Sequence, residues 1–443
     1  MRSASTGGLE GNGPQRAFPG QSTFVYESDS QSAQVNFNVN FRAVRAPRLL
    51  IGRHVRNLRG SQLLPKNRRT PSGCHSRLTI GFVPIIDCAI LIAARELGLF
   101  EKHGLDVTLS REVGWATIRE KLLHNEVHAV HAPASMGFVV RCGIGIVARP
   151  CLTAFVLSLN GSAITLSKEL WDRGVRDVKS LRTVIEADRG RRTYSFGAVL
   201  EFSTQNYHLR RWLRSGGIDP DRDVRIPIIP SPVIHHGLVD GHLDGYCVAE
   251  PWNSIAVESG TGWIAATSTE IAPAQPEKVL LVLEEFAEQH PEEHLAMIAA
   301  LAEASIYCEL PANRPALARM LAHSRYLDVP VSLLAKSLIG PLETGRGQVE
   351  VDDLIIYHRG GANAPDRAKG RQVFNDVRAH PAAQQCRALR PDVIGRVFRE
   401  DLYQQAIALT GPRESTPVEP CAHRIKPAVD PSSSLIPRIA LAG

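Results

Sequence analysis

Arg77-Leu-Thr-Ile-Gly-Phe-Val-Pro84 opens the stretch that decides the fold. Its apolar residues alternate with small or polar ones and it is β-rich, which predicts a strand. Asp87 to Leu99 then carries apolar residues at helical spacing, with Asp87 as the expected N-cap and Gly98 near the stop. Leu105-Asp-Val-Thr-Leu-Ser110 is a second strand, Trp115 to Asn125 an amphipathic helix, Val127 to Pro133 a third strand and Ala134 to Cys142 a third helix. A β-α-β-α-β run predicts an α/β fold with a helix-covered parallel sheet. Ligands of such sheets sit beyond the carboxyl ends of the strands, which gathers 84–87, 111–117 and 132–135 around one cleft.

The pattern restarts downstream. Residues 192–199 read as a strand, Thr204 to Ser215 as a helix capped by Thr204, Val224 to Ile229 as a strand, Pro232 to Asp240 as a helix and Gly245 to Ala249 as a strand. Residues 279–325 and 330–337 read as long helices. Two α/β units followed by a helical return predict two lobes facing each other. The expected division is 77–167 with 281–410 for the first lobe and 168–280 for the second.

Outward from this body the chain changes character. Residues 1–76 hold eleven Lys/Arg against three Asp/Glu, whereas the other 367 hold 40 against 42. The overall charge of +6 therefore belongs to the basic extension, and the near-neutral body gives no ground for direct nucleic-acid binding. The apolar runs of the extension, Leu49-Leu-Ile51 and Leu63-Leu64, are far shorter than a secretory apolar region, and Arg68-Arg69 is not followed by one. A disordered tail, a start placed too early and an arm for an acidic partner all remain open. Residues 411–443, with six prolines, are expected to be a disordered tail. With 44% apolar residues and no run of about 20, a membrane-spanning helix is not expected. The eight cysteines are scattered, without C-x-x-C, and read as reduced thiols in a reducing compartment.

Much chemistry is excluded by what the motifs lack. There is no G-x-x-x-x-G-K-[ST], G-x-S-x-G or H-E-x-x-H. Asp219, Asp221 and Asp223 open like a calcium loop, but Val224 and Pro230 stand where Gly and Glu are required. His128 and His131 lie three apart on a strand and point to opposite faces; His235 and His236 are adjacent on a helix and diverge. No metal site, cofactor site or catalytic residue is expected.

A set of longer segments then carries a resemblance. They are Arg77-Leu-Thr-Ile-Gly-Phe-Val-Pro84; Gly98-Leu-Phe-Glu-Lys-His-Gly-Leu-Asp-Val-Thr-Leu-Ser-Arg-Glu112; and Trp115-Ala-Thr-Ile-Arg-Glu-Lys-Leu122. Further along come Leu159-Asn-Gly161; Arg210-Arg-Trp-Leu-Arg-Ser-Gly-Gly-Ile-Asp-Pro-Asp-Arg-Asp-Val224; Asp244-Gly-Tyr-Cys-Val-Ala-Glu-Pro-Trp-Asn253; and Pro276-Glu-Lys-Val279. In this order, over about 220 residues, they resemble the nitrate and bicarbonate solute-binding proteins of ABC transporters, together with their signal-less cytoplasmic nitrate/nitrite sensor relatives.

The resemblance implies a two-lobed, type II periplasmic-binding-protein-like fold, each lobe a mainly parallel sheet flanked by helices. It implies a small monovalent oxyanion, nitrate or nitrite, held between the lobes without chemistry. Such an ion needs one positive charge, neutral donors and a flat wall. By the resemblance Trp115 is the wall, Lys278 the cation, Ala249 a backbone donor, and Thr204, Gln205 and Ser162 the second-lobe polar contacts. Gln205 replaces the family's usual His and cannot become cationic. Ser162 stands for a longer amide, and Ala364-Pro-Asp366 for Phe-Pro-Trp. The implied partner is an RNA-binding antiterminator-type regulator for a cytoplasmic sensor, or a permease and ATPase for a periplasmic transporter component. An enzyme like the pyrimidine-precursor synthases of related fold is a remote third reading.

Overall fold

The computed structural model describes residues 76–350 and 353–410. The expected basic extension and C-terminal tail, with Cys74 and Cys421, lie outside the described residues, Ser76 excepted. Thirteen strands appear among the described residues: β1 (Ser76–Phe82), β2 (Leu105–Arg111), β3 (Ala129–Pro133), β4 (Cys151–Asn160), β5 (Ser162–Ser167), β6 (Tyr194–Gly197), β7 (Val224–Arg225), β8 (Gly245–Ala249), β9 (Gly262–Thr267), β10 (Pro276–Leu283), β11 (Leu342–Glu343), β12 (Gln348–Val349) and β13 (Ile355–Ile356). They build a six-stranded sheet in the order β13-β4-β10-β3-β1-β2, a five-stranded sheet in the order β7-β6-β8-β5-β9, and the small β11–β12 pair.

The opening alternation gives what the sequence reading expects. Ile80 and Phe82 are fully buried, and β1 pairs in parallel with β2 over seven residues and with β3 on its other side. Helices Ala89–Glu96, Trp115–Leu123 and Met136–Cys142 cover the connections. In the second lobe the Thr204–Ser215 helix falls where expected, but Ser203 is its N-cap, accepting from the Asn206 N–H at 3.2 Å; Thr204 is the first helical residue. Strand β7 is two residues long, shorter than expected, because Pro227 and Pro230 interrupt the run.

Three expectations are corrected. The sheets are mixed, not mainly parallel: β10 is antiparallel to both β3 and β4, β13 to β4, and β5 to both β8 and β9. Residues 279–283, expected to be helical, form the centre of β10, whose eight residues are all buried. An unbroken apolar run has no period, and burial on both faces selects the strand. Helices resume at Glu284–Gln289, Pro291–Glu309, Arg314–Ala322 and Val331–Leu338. Finally, the chain passes between sheets at Gly161 and again between β9 and β10, earlier in both places than the expected 167/168 and 280/281.

Gly161 makes the first passage at φ +96, a conformation that favours glycine, with Ile355 and the Asp87 carboxylate packed close above its Cα. Among the described residues no single helix is long and apolar enough to cross a membrane. Asp366, where the resemblance departs from its aromatic pattern, caps the Arg367–Ala379 helix by accepting from the Lys369 N–H at 2.8 Å.

Candidate ligand site between the two sheets

Adjacent residues of a strand ordinarily point to opposite faces. Around Lys278 the register of β10 against β4 breaks on both sides, a local irregularity of the kind that re-aims side chains. The tips of Glu277 and Lys278 consequently meet, Lys278 Nζ donating to Glu277 Oε1 at 2.5 Å. Lys278 is fully buried, stands opposite Pro133 of β3 and Ser158 of β4, and lies 3.7 Å from Asp87 Oδ1. Its ammonium sits 5.4 Å from the centre of the Trp115 ring, within cation–π range. Trp115 begins its helix after Gly114, is 2% exposed, and meets His131 of β3 edge-on at 5.3 Å.

The second lobe brings neutral groups to this cluster. Gln205 Nε2 donates to Glu277 Oε1 at 2.7 Å. One helical turn on, His208 Nδ1 lies 3.4 Å from Ser162 Oγ. Ser162 and Ala249 face each other across the β5–β8 pair, and the Ser162 N–H donates to Ser268 Oγ at 3.2 Å. Thr204 is buried at the helix start. The structure thus joins Trp115, Lys278 and Gln205 in one chain of contacts, and Ser162 to His208 on the same helix face; among the described residues no hydrogen bond ties the Thr204 side chain to the cluster. All six sequence-predicted residues are 3% exposed or less. The cleft is closed over them, and Ser135 Oγ of the first lobe donates to the Phe202 carbonyl of the second.

Four members were not among the expected site residues. Asp87 does not cap a helix: it lies in the Ile86–Cys88 turn, fully buried, its Oδ1 accepting from Ser158 Oγ at 2.8 Å. Glu277 is the neighbour of the cation in the motif, His131 appears from sequence as one more strand residue, and His208 fills one turn later the place where the resemblance misses a His at 205. A helical offset of three from Gln205 was the available signal for His208.

Burial dominates the electrostatics. It raises Asp87 above the usual carboxylate range, with Lys278 opposing. It pushes Glu277 up to about 7, again against Lys278. It holds His131 well below its ordinary value and lowers His208 to about 3, so both rings are neutral near pH 7. Buried atoms without a hydrogen-bond partner cluster here: Trp115 Nε1, both His131 ring nitrogens, His208 Nε2, Gln205 Oε1, Asp87 Oδ2 and Glu277 Oε2. An indole N–H, the Nε2 of a neutral imidazole and an ammonium are thus the groups at hand for a guest. Among the described residues no group of three or more His, Cys, Asp or Glu is placed to hold a metal ion.

Comparisons with known proteins bear on the family and the fold. The model of the NMT1-like family matches residues 74–322. The bicarbonate transport ATP-binding protein CmpC of Synechococcus elongatus is 38% identical over 298 residues, covering 66% of this chain and 43% of that protein. The nitrate/nitrite binding protein NrtA of the same organism is 29% identical over 356 residues, covering 77% of this chain and 79% of that one. Among solved structures, the periplasmic nitrate-binding protein NrtA from Synechocystis PCC 6803 superposes with a TM-score of 0.71 at 22% identity, covering 76% of this chain and 89% of the other. The chain spans less than half the length of the ATP-binding relatives it matches. With the family model covering more than half of its residues, and the fold shared with a periplasmic nitrate-binding protein, the chain belongs to the NMT1-like family.

Proposed function

We propose that the chain binds a small monovalent oxyanion, nitrate or nitrite, between its lobes and releases it unchanged. The observation that carries the reading is the meeting of Lys278 with the Trp115 ring at 5.4 Å, completed by neutral groups from the facing lobe. A weakly basic planar anion gains from a single ammonium, N–H donors and a flat wall in a water-excluded site. The site residues are closed off from solvent, so the ion enters only when the lobes part, with Gly161 as one of the points of flexure.

The anion's closure of the lobes then reports its presence to a partner, and we place the protein in the cytoplasm as a nitrate/nitrite sensor acting on a regulator of the antiterminator type. Six free thiols among the described residues, five of them buried, are in keeping with a reducing compartment. A second reading, a binding component of an ABC importer, is favoured by the transport relatives such as CmpC. Calorimetry of the full chain with nitrate, nitrite, bicarbonate and a sulfonate tests the common core. Nitrate or nitrite is expected to bind tightest, and Lys278→Ala to weaken it at least tenfold, about 1.4 kcal/mol. Undiminished binding by that variant removes the site assignment. Co-purification with a permease and ATPase, rather than with a soluble regulator, decides for the importer.

A further inference from the structure

The charges inside the site do not balance once an anion is added. The completely buried cluster around the Lys278 ammonium holds two carboxyl groups in ion-pair range, Asp87 and Glu277, while a third buried carboxyl, Glu250, is bonded to Ser254 and Ser337. With Asp87 and Glu277 ionised this core carries one net negative charge, and a monovalent anion would bring it to two in a region shut from water. Burying uncompensated charge of that kind is far costlier than moving a proton. We propose that the anion enters together with one proton, which the Asp87–Glu277 pair takes up, so that the net charge of the core is the same with and without its guest. This deepens the oxyanion reading and rests on it.

The geometry leaves room for that proton. Glu277 Oε1 already accepts from Lys278 and Gln205, whereas Glu277 Oε2 and Asp87 Oδ2 have no partner. A proton on either oxygen turns a group that repels the anion into a donor. The other titratable groups facing the pair are poor takers. His131 on β3 and His208 on the second-lobe helix are held neutral by burial next to Lys278. Burial likewise keeps Cys88 beside Asp87, Cys247 on β8 and Tyr357, which donates to the Ile86 carbonyl, in their protonated forms. Glu250 just after β8 is completely buried too, but its Oε2 accepts from the Ser254 N–H and Ser337 Oγ and it makes no ion pair with Lys278 among the described residues. No described three-residue set could bring a metal ion as the balancing charge instead.

Nitrate, which is ionised at every pH of interest, is the probe. With burial in the closed site pushing Glu277 up to about 7, affinity should be flat near pH 6 and fall toward tenfold per pH unit between 7.5 and 8.5. Titrations at pH 8 in two buffers of different ionisation enthalpy should differ by the enthalpy of about one proton taken up. Glu277→Gln and Asp87→Asn each leave a core neutral before the anion arrives, so uptake should vanish in at least one of them; circular dichroism and thermal unfolding establish that the variants are folded. Nitrate binding by the wild type with no proton uptake, or uptake retained in both variants, overturns the proposal while leaving the oxyanion reading intact. Nitrate, nitrite and bicarbonate all failing to bind from pH 6 to 9 overturns the oxyanion reading itself, and this inference with it.

Discussion

The two lobes bring different chemistry to the same cleft. The six-stranded lobe supplies the charges of the core, Asp87, Glu277 and Lys278, and the aromatic wall, Trp115. The five-stranded lobe supplies neutral dipoles: Gln205, His208 and Ser162. Desolvating charge is the expensive part of building such a site, and here that cost falls within one lobe, where the ion cluster is held by β3, β4 and β10 packed side by side. Toward that cluster the five-stranded lobe presents uncharged groups, which meet it without stripping an ion of its counter-ion.

That contrast can be broken by substitution. The largest effect is expected on the charged side. Lys278→Met keeps the length of the side chain but strands two buried carboxylates; it should cost about 3–5 kcal/mol of stability, measured by chemical denaturation at pH 8. A loss below about 1 kcal/mol would mean that the two carboxyls are already neutral without it. Gln205→Ala, on the neutral side, removes a donor to Glu277 and should cost about 1–3 kcal/mol, mostly at high pH where that carboxylate is ionised.

The carboxyl pair also fixes a sign for the pH dependence. Glu277 and Asp87 titrate higher folded than unfolded, so the folded chain holds more protons between the two values. The stabilisation they give is complete below the unfolded carboxylate range near pH 4–4.5 and, for Glu277, is lost as pH rises through about 7, at up to about 1.4 kcal/mol per pH unit for each proton. Stability that fails to decline between pH 5 and 7, or declines equally in Glu277→Gln, goes against this assignment. The smallest effect is expected from Ser162→Ala, which removes one neutral bond to His208 and should cost about 0.5–1.5 kcal/mol of stability, read from the same denaturation curves. A larger loss there would show that the neutral half carries more of the site than its charge suggests.

The sequence by itself determined the α/β class and the two-lobed plan, and the resemblance it carries pointed to Trp115, Lys278, Gln205 and Ser162, which the structure buries in one neighbourhood. Alternation over 77–82, helical spacing after Asp87 and the Pro276-Glu-Lys-Val279 segment are local patterns, and local patterns survive in one dimension. What only the tertiary structure decided was β10. Its Val279-Leu-Leu-Val-Leu283 run suits a buried helix as well as a strand, and the choice was made by β3 and β4, which cover it from both edges with antiparallel bonds. With that strand came the register break that joins Glu277 to Lys278, and with the fold's closure came Asp87, His131 and His208, residues far apart in sequence. Apart from the helical offset that links His208 to Gln205, nothing in the sequence marks them, because the role of each depends on which buried charge stands next to it, and burial is a property of the packed chain.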